Sequence, residues 1–179
     1  VGGTWFENSY PGCRVDIANH FYSYSFEENN QWSQYFSEQP ELQDYFHKCF
    51  FKYNLNEITH FNQEVSALTF SDATNMWSVT SSCDEQPRVE EFNLVISCIG
   101  QLNQPKLPEI NGLDLFEGKI FHSARWPKDL QLDGKKVAVI GSGASAFQIV
   151  PSIADQCSEL KVFQRSPPWM FPNQDYHRK

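Results

Sequence analysis

Residues Lys135 to Pro167 limit what this chain can fold into more than any other stretch. Lys136-Val137-Ala138-Val139-Ile140 is a short apolar run rich in β-branched residues, the pattern of a buried parallel strand. Gly141-Ser142-Gly143-Ala144-Ser145-Ala146 follows, and Phe147-Gln148-Ile149-Val150 continues as helix. Strand, glycine turn and helix start, in that order, are what a dinucleotide-binding unit requires. Gly141 lets the chain turn tightly, Gly143 has no Cβ to block a pyrophosphate, and Ala146 permits close helix–strand packing. The amides at the helix start, with the helix dipole behind them, make an anion site.

The spacing predicts a helix from Phe147 to Gln156 and a second strand, Leu160 to Phe163, ending at Gln164-Arg165-Ser166. An NAD-binding unit carries an acid at that strand tip for the ribose 2′-hydroxyl. Here the tip carries Arg165, whose planar fork suits a 2′-phosphate, with Ser166 as a hydroxyl donor beside it. The residues therefore point to NADP(H). The competing reading makes Arg165 a solvated charge at a strand end.

A formal net charge of −8 and a sequence pI of about 5.0 argue against a phosphate-backbone partner, so no nucleic acid is expected. No apolar run approaches the roughly 20 residues of a membrane span, and no signal-peptide pattern stands at Val1. The five cysteines are odd in number and scattered, without a C-x-x-C pair. They read as reduced thiols in a cytoplasmic protein, with neither a disulfide framework nor a zinc site. The chain opens at Val1-Gly2-Gly3 without Met and stops soon after the second strand of its nucleotide unit, so it reads as a piece of something longer.

Residues Val1 to Asp16 read as loop. Gly2 and Gly3 allow close approach to a ligand, and Trp5 can lie against a flat ring; an irregular surface loop with a buried Trp fits equally well. Arg14 and Asp16, two apart, project the same way if extended. Phe21 to Phe26 is a strand or an extended loop. Leu42, Tyr45, Phe46, Cys49, Phe50 and Tyr53 recur at helical spacing and predict an amphipathic helix from Pro40 to Tyr53, with His47 on its solvated side. The period then shifts to two. Strands are expected at Glu64–Phe70, Met76–Ser82 and Arg88–Phe92, joined by turns at Ser71–Asn75 and Cys83–Pro87. This meander feeds an apolar run, Leu94–Ile99, that reads as a buried central strand. After a proline-bounded linker, Lys119–His122 is expected as a short strand, and Trp126 and Pro127 fix the loop behind it. His122 in such a connector reads as hydrogen-bonded structure.

Taken together, these residues resemble a known family. F-x-G-x-x-x-H-x-x-x-W-P, carried here by Phe116, Gly118, His122, Trp126 and Pro127, resembles the fingerprint of type I Baeyer–Villiger monooxygenases. So do the loop G-G-T-W-F-x-N-x-Y-P-G-x-R-x-D from Gly2 to Asp16, the run Tyr22 to Phe26, and Val162 to Pro167; the matches extend from Gly2 to about Pro172. Flavin-containing monooxygenases that oxidise nitrogen or sulfur share the first part of the fingerprint and usually lack its Trp-Pro ending.

The resemblance implies an α/β fold: a fragment of a flavoprotein with two dinucleotide-binding (Rossmann-like) domains and a β-meander crossover. Residues 1–130 would be a partial FAD-binding domain with meander and linker. Residues 131–179 would be the first βαβ part of an NADP-binding domain. The implied activity is FAD- and NADPH-dependent insertion of one oxygen atom of O2 into a small ketone, through a flavin C4a-peroxide, to give an ester or lactone. Thr4, Trp5, Phe6, Glu7, Asp16, Tyr22 and the backbone of Val65 would line FAD. Arg14, Val15, Asp16, Gly141, Ser142, Gly143, Ala144, Ser145, Ala146, Phe147, Gln148, Arg165 and Ser166 would meet NADP. Asp16 would support catalysis by positioning an arginine expected after Lys179, and His122 and Trp126 would link movements of the two domains. The glycine fingerprint for FAD would lie before Val1, so this piece alone is expected not to turn over. Two alternatives stay open: an N- or S-oxidising flavin monooxygenase, and a truncated, non-catalytic NADP(H)-binding module.

Overall fold

The computed structural model describes residues 1–84 and 86–169. Glu85, inside the expected Cys83–Pro87 turn, and the end of the family match at Pro172 lie outside the described residues. The chain forms two compact units, one of residues 1–52 with the chain from Gln104 onward, the other Tyr53–Asn103.

In the first unit, a four-residue helix α1 (Thr4–Glu7) interrupts the stretch expected to be all loop. Gly2 and Gly3 supply the backbone for it: both hold positive φ, and their carbonyls accept the N–H groups of Trp5, Phe6 and Glu7. Helix α2 (Gln39–Lys52) falls within one residue of its expected ends and buries Leu42, Tyr45, Cys49 and Phe50, the stripe that the 3.6-residue period predicts. Between them, Phe21 to Phe26 proves to be loop, with a 3₁₀ turn at Asn19–Phe21 and one bridge from Tyr24 to Glu27.

The second unit is an antiparallel meander: β1 (Glu64–Ser71), β2 (Met76–Cys83) and β3 (Gln86–Phe92), in that order. β3 starts two residues earlier than expected and takes in Pro87, which pairs with Ser82; a proline is tolerated there because β3 is an edge strand. The expected central strand at Leu94–Ile99 does not form. Leu94, Ile96 and Ile99 are 72–74% exposed, and among the described residues no strand pairs with the run. A strand exists only through its neighbour's hydrogen bonds, and apolar content alone cannot supply them.

Back in the first unit, Lys119–His122 likewise pairs with no strand among the described residues; His122, itself extended, leads into a 3₁₀ turn, Ser123–Arg125. Strand β4 (Lys136–Ile140), helix α3 (Ala144–Ile153) and strand β5 (Glu159–Phe163) make the expected parallel βαβ unit, with Lys136 opposite Glu159 and Ile140 opposite Phe163. Helix α3 begins three residues before the expected start, because Gly143 is extended and its carbonyl accepts the Phe147 N–H. It ends three residues early, at Ile153, with Ala154 as its C-cap; Pro151 is accommodated inside it. Strand β4 is covered on one face only. Val137 and Val139 pack toward Leu132, Ile149 and Ile153, while Ala138 and Ile140 face outward, so the expectation of a fully buried strand is corrected. Tyr10, Trp126 and Leu130 join the same cluster, so the N-terminal loop and the fingerprint both rest on this βαβ unit.

Candidate functional site

The glycine turn is an open cradle. Gly141 holds φ +110, a conformation that needs glycine, and its N–H donates to the Phe163 carbonyl at 2.8 Å, joining β4 to β5 at their carboxyl ends. A Cβ built on Gly141 or Gly143 meets nothing within 4 Å. The first helical bond of α3 is made by Phe147, so the amides of Ala144, Ser145 and Ala146 point out of the helix start without an intrahelical acceptor. Ser142 Oγ donates to the Ser166 carbonyl at 3.5 Å and ties the turn to the strand tip that carries Arg165. The residues expected to meet the pyrophosphate and the 2′-phosphate are thereby brought together, with Arg165 exposed.

Three of the residues expected beside flavin also assemble. Trp5 meets Tyr22 edge to face, centroids 5.7 Å apart, and the Tyr22 hydroxyl donates to Asp16 Oδ1 at 3.4 Å. Burial, reinforced by the Asp16 charge, pushes the Tyr22 phenol up from its ordinary value. The Trp5 carbonyl accepts a hydrogen bond from Gln39 Nε2. Thr4 and Phe6 are exposed beside Gly3, whose φ is +50 and whose missing Cβ leaves open space. Glu7 is committed elsewhere: its carboxylate pairs with Arg125 Nη1 at 2.8 Å. Val65 belongs to the other compact unit, exposed on β1 where the pairing register slips.

Two of the residues expected to touch NADP are turned inward. The Val15 side chain is fully buried, and its N–H donates to the Ser37 carbonyl at 3.0 Å. Gln148 is only 8% exposed, and its carboxamide bonds to Tyr10 and to both main-chain groups of Arg14. The Arg14 guanidinium pairs with Glu38 at 2.9 Å. Sequence reasoning gave Tyr10, Gly12 and Cys13 no role, yet they seat this loop on α3. A Cβ on Gly12 would come within 2.2 Å of Ser152 Oγ and 2.5 Å of the Gln148 carbonyl, so only glycine fits. Burial pushes the Tyr10 phenol up to about 12, against the Ser145 hydroxyl beside it, and the Cys13 thiol up to about 11. The signal for these three lay in the Y-P-G-C spacing, which periodicity cannot decode.

The fingerprint is held by local bonds. His122 Nδ1 accepts the Ala124 N–H at 3.1 Å and so caps the 3₁₀ turn, which puts the neutral ring's proton on Nε2. Trp126 stacks edge to face on Phe121 at 5.2 Å and packs against the Leu132–Ile149–Ile153 core. A groove of about 410 Å³ lies away from all of these residues, between Glu27–Gln31 and α2. None of the expected site residues lines it.

A family model described as flavin-binding monooxygenase-like matches residues 16–176. A protein of Pseudomonas aeruginosa named Baeyer–Villiger monooxygenase is 45% identical over 175 residues, covering 98% of this chain and 33% of that protein. A solved structure of cyclohexanone monooxygenase bound to ε-caprolactone superposes with a TM-score of 0.88 at 33% identity, over 96% of this chain and 34% of that one. A structure of OTEMO in complex with FAD and NADP gives 0.86 at 37% identity, over 96% and 34%. The chain spans about a third of the length of the relatives it matches.

Proposed function

The chain belongs to the flavin-binding monooxygenase-like family, and from that premise we propose that it serves an FAD- and NADPH-dependent monooxygenase that inserts one oxygen atom of O2 into a small ketone, giving an ester or lactone. Identity of 45% across 98% of the chain to a Baeyer–Villiger monooxygenase supports that substrate class. The observation that carries the nucleotide half is the open cradle at Gly141 and Gly143, bonded through Ser142 to the strand tip with Arg165.

The donor set fits both groups. Amides of Ala144 to Ala146 and the α3 dipole hold the pyrophosphate, and nothing from the chain fills the space where a Cβ would stand. Arg165 and Ser166 take the 2′-phosphate, which selects NADP(H) over NAD(H). Thr4, Trp5, Phe6 and Tyr22 present an apolar and hydroxyl-bearing face beside Gly3 for the flavin. Asp16, exposed beside Tyr22, is a positioning residue that orients a cationic side chain near the flavin. When bound, FAD and NADPH supply the electron transfer and the activation of O2; the protein's part is to bind them, exclude water and stabilise developing negative charge. His122 and Trp126 hold the connector between the cofactor regions, residues 1–130 serving FAD and 131–179 serving NADP. All five cysteines are free thiols, which supports a cytoplasmic setting.

The test uses the full-length gene product purified with its flavin and supplied with NADPH, O2, and panels of ketones, amines and thioethers. Esters or lactones identified by mass spectrometry are the expected products. N- or S-oxides alone would reassign the substrate class. Nucleotide binding without any oxygenated product would leave a binding module.

A further inference from the structure

We propose that Gln148 is a positioning residue, its carboxamide acting as a substitute β-strand neighbour that locks the Tyr10–Asp16 loop to the glycine cradle so that nucleotide held there orders that loop. Residues 13–15 run extended. On one edge Val15 N–H donates to the Ser37 carbonyl at 3.0 Å, and Gln39 N–H donates to the Cys13 carbonyl at 2.8 Å, framing an antiparallel bridge between Arg14 and Glu38. In such a ladder the main-chain groups of the middle residue point to the opposite edge, where a further strand would bond them.

No strand lies on that edge among the described residues. Gln148 takes its place: Oε1 accepts the Arg14 N–H at 3.2 Å and Nε2 donates to the Arg14 carbonyl at 2.9 Å, a donor and an acceptor presented together as a peptide group presents them. Oε1 also accepts the Tyr10 hydroxyl at 3.1 Å. Gly12 closes the joint by lying directly on the Gln148 carbonyl and Ser152. Gln148 sits four residues after the first residue of α3, one turn beyond the amides of the cradle. Ordering that first turn on a phosphate therefore orders the residue that holds Arg14, and two residues on stands Asp16.

The inference rests on reading Gly141–Ser145 as the NADP(H) cradle, and the experiment separates the two. Hydrogen exchange of individual amides is followed by NMR in the 179-residue chain, with and without NADP+, for wild type, Gln148→Met, Gln148→Glu and Tyr10→Phe. Without nucleotide, Gln148→Met speeds exchange of the Arg14 N–H by about tenfold or more relative to Val15, whose bond to Ser37 is untouched. Tyr10→Phe, which leaves the Arg14 pair intact, changes it by less than about threefold. With NADP+, wild type gains protection at residues 12–16, and Gln148→Met binds the nucleotide but loses that gain.

Gln148→Glu supplies the readout that plain packing would not move. Ionised, the carboxylate still accepts the Arg14 N–H but sets a second acceptor against the Arg14 carbonyl; protonated, it offers acceptor and donor together, so Arg14 protection relative to Val15 rises as pH falls from about 8 to about 5. The ionisable groups bonded to the carboxamide are Tyr10 and Arg14, with Cys13 and Asp16 acting on Tyr10 and Glu38 on Arg14. Tyr10 and Cys13 are pushed up to about 12 and about 11, and neither titrates in that window. Unchanged Arg14 exchange in Gln148→Met overturns the proposal. So does weaker NADP+ binding in that variant with loop protection retained, which would make Gln148 a direct ligand contact. Failure of wild type to bind NADP+ would sink the cradle reading alone, and the nucleotide-free Arg14 comparison would still decide the clamp.

Discussion

Gly12 and Gly143 both lie in glycine-bearing loops expected to face cofactor, and their surroundings are opposite. The space beside Gly143 is open, while a Cβ on Gly12 would strike Ser152 Oγ and the Gln148 main chain. The first absence of a side chain leaves room for something outside the chain; the second is filled by the chain itself. A glycine in a motif thus has two physical meanings, and only what stands where the Cβ would be tells them apart. Gly12 seats the N-terminal loop against α3, and Gly143 leaves the turn after β4 open.

The largest effect expected from this contrast is at Gly12. Gly12→Ala adds the strain of φ +79 to an overlap with backbone that cannot swing away, and should destabilise the first unit by about 2–4 kcal/mol in urea denaturation. A cost below about 0.5 kcal/mol would erase the distinction between the two glycines. Gly143→Ala is the mirror experiment. Its φ is −75 and its surroundings are open, so stability should stay within about 0.5 kcal/mol while NADP+ affinity falls by about tenfold or more. A smaller effect should follow Arg165→Ala: preference for NADP+ over NAD+ drops by about tenfold with the fold unchanged, read from paired binding isotherms.

The weakest effect concerns the buried side of the Gly12 loop. The Tyr10 phenol and Cys13 thiol sit above their ordinary values of 10.0 and 9.0 because burial disfavours their charged forms. The unfolded chain therefore loses these protons first. Their contribution is complete below about pH 9 and is lost as pH rises through about 11 to 12. The denaturation midpoint should fall across that range, and Tyr10→Phe should flatten part of the slope; a Tyr10→Phe profile identical to wild type would mean the phenol is not desolvated.

What could be read from the sequence was what depends on neighbours along the chain. The stripe from Leu42 to Phe50, the alternation of β1 and β2, and the strand–glycine–helix order at Lys136–Ile149 all follow from local period and turn chemistry. The misses depend on partners far away. Leu94–Ile99 and Lys119–His122 have strand-like composition and no strand to pair with among the described residues, so neither forms a strand. The Arg14–Gln148 joint spans 134 positions and uses a side chain as if it were backbone, which no periodicity announces. Gln148 is on the expected list for NADP, yet its carboxamide faces the N-terminal loop; Glu7, expected beside flavin, is held by Arg125. Motif membership located these residues in the sequence, and only packing showed which way each one faces.

The central claim is that the open glycine turn and Arg165 form one NADP(H) site. Calorimetric titration of the 179-residue chain with NADP+ and, separately, NAD+ tests it most directly. One saturable site, with NADP+ bound at least about tenfold more tightly than NAD+, is the predicted result. No saturable binding of NADP+, or equal affinity for the two nucleotides, would contradict it.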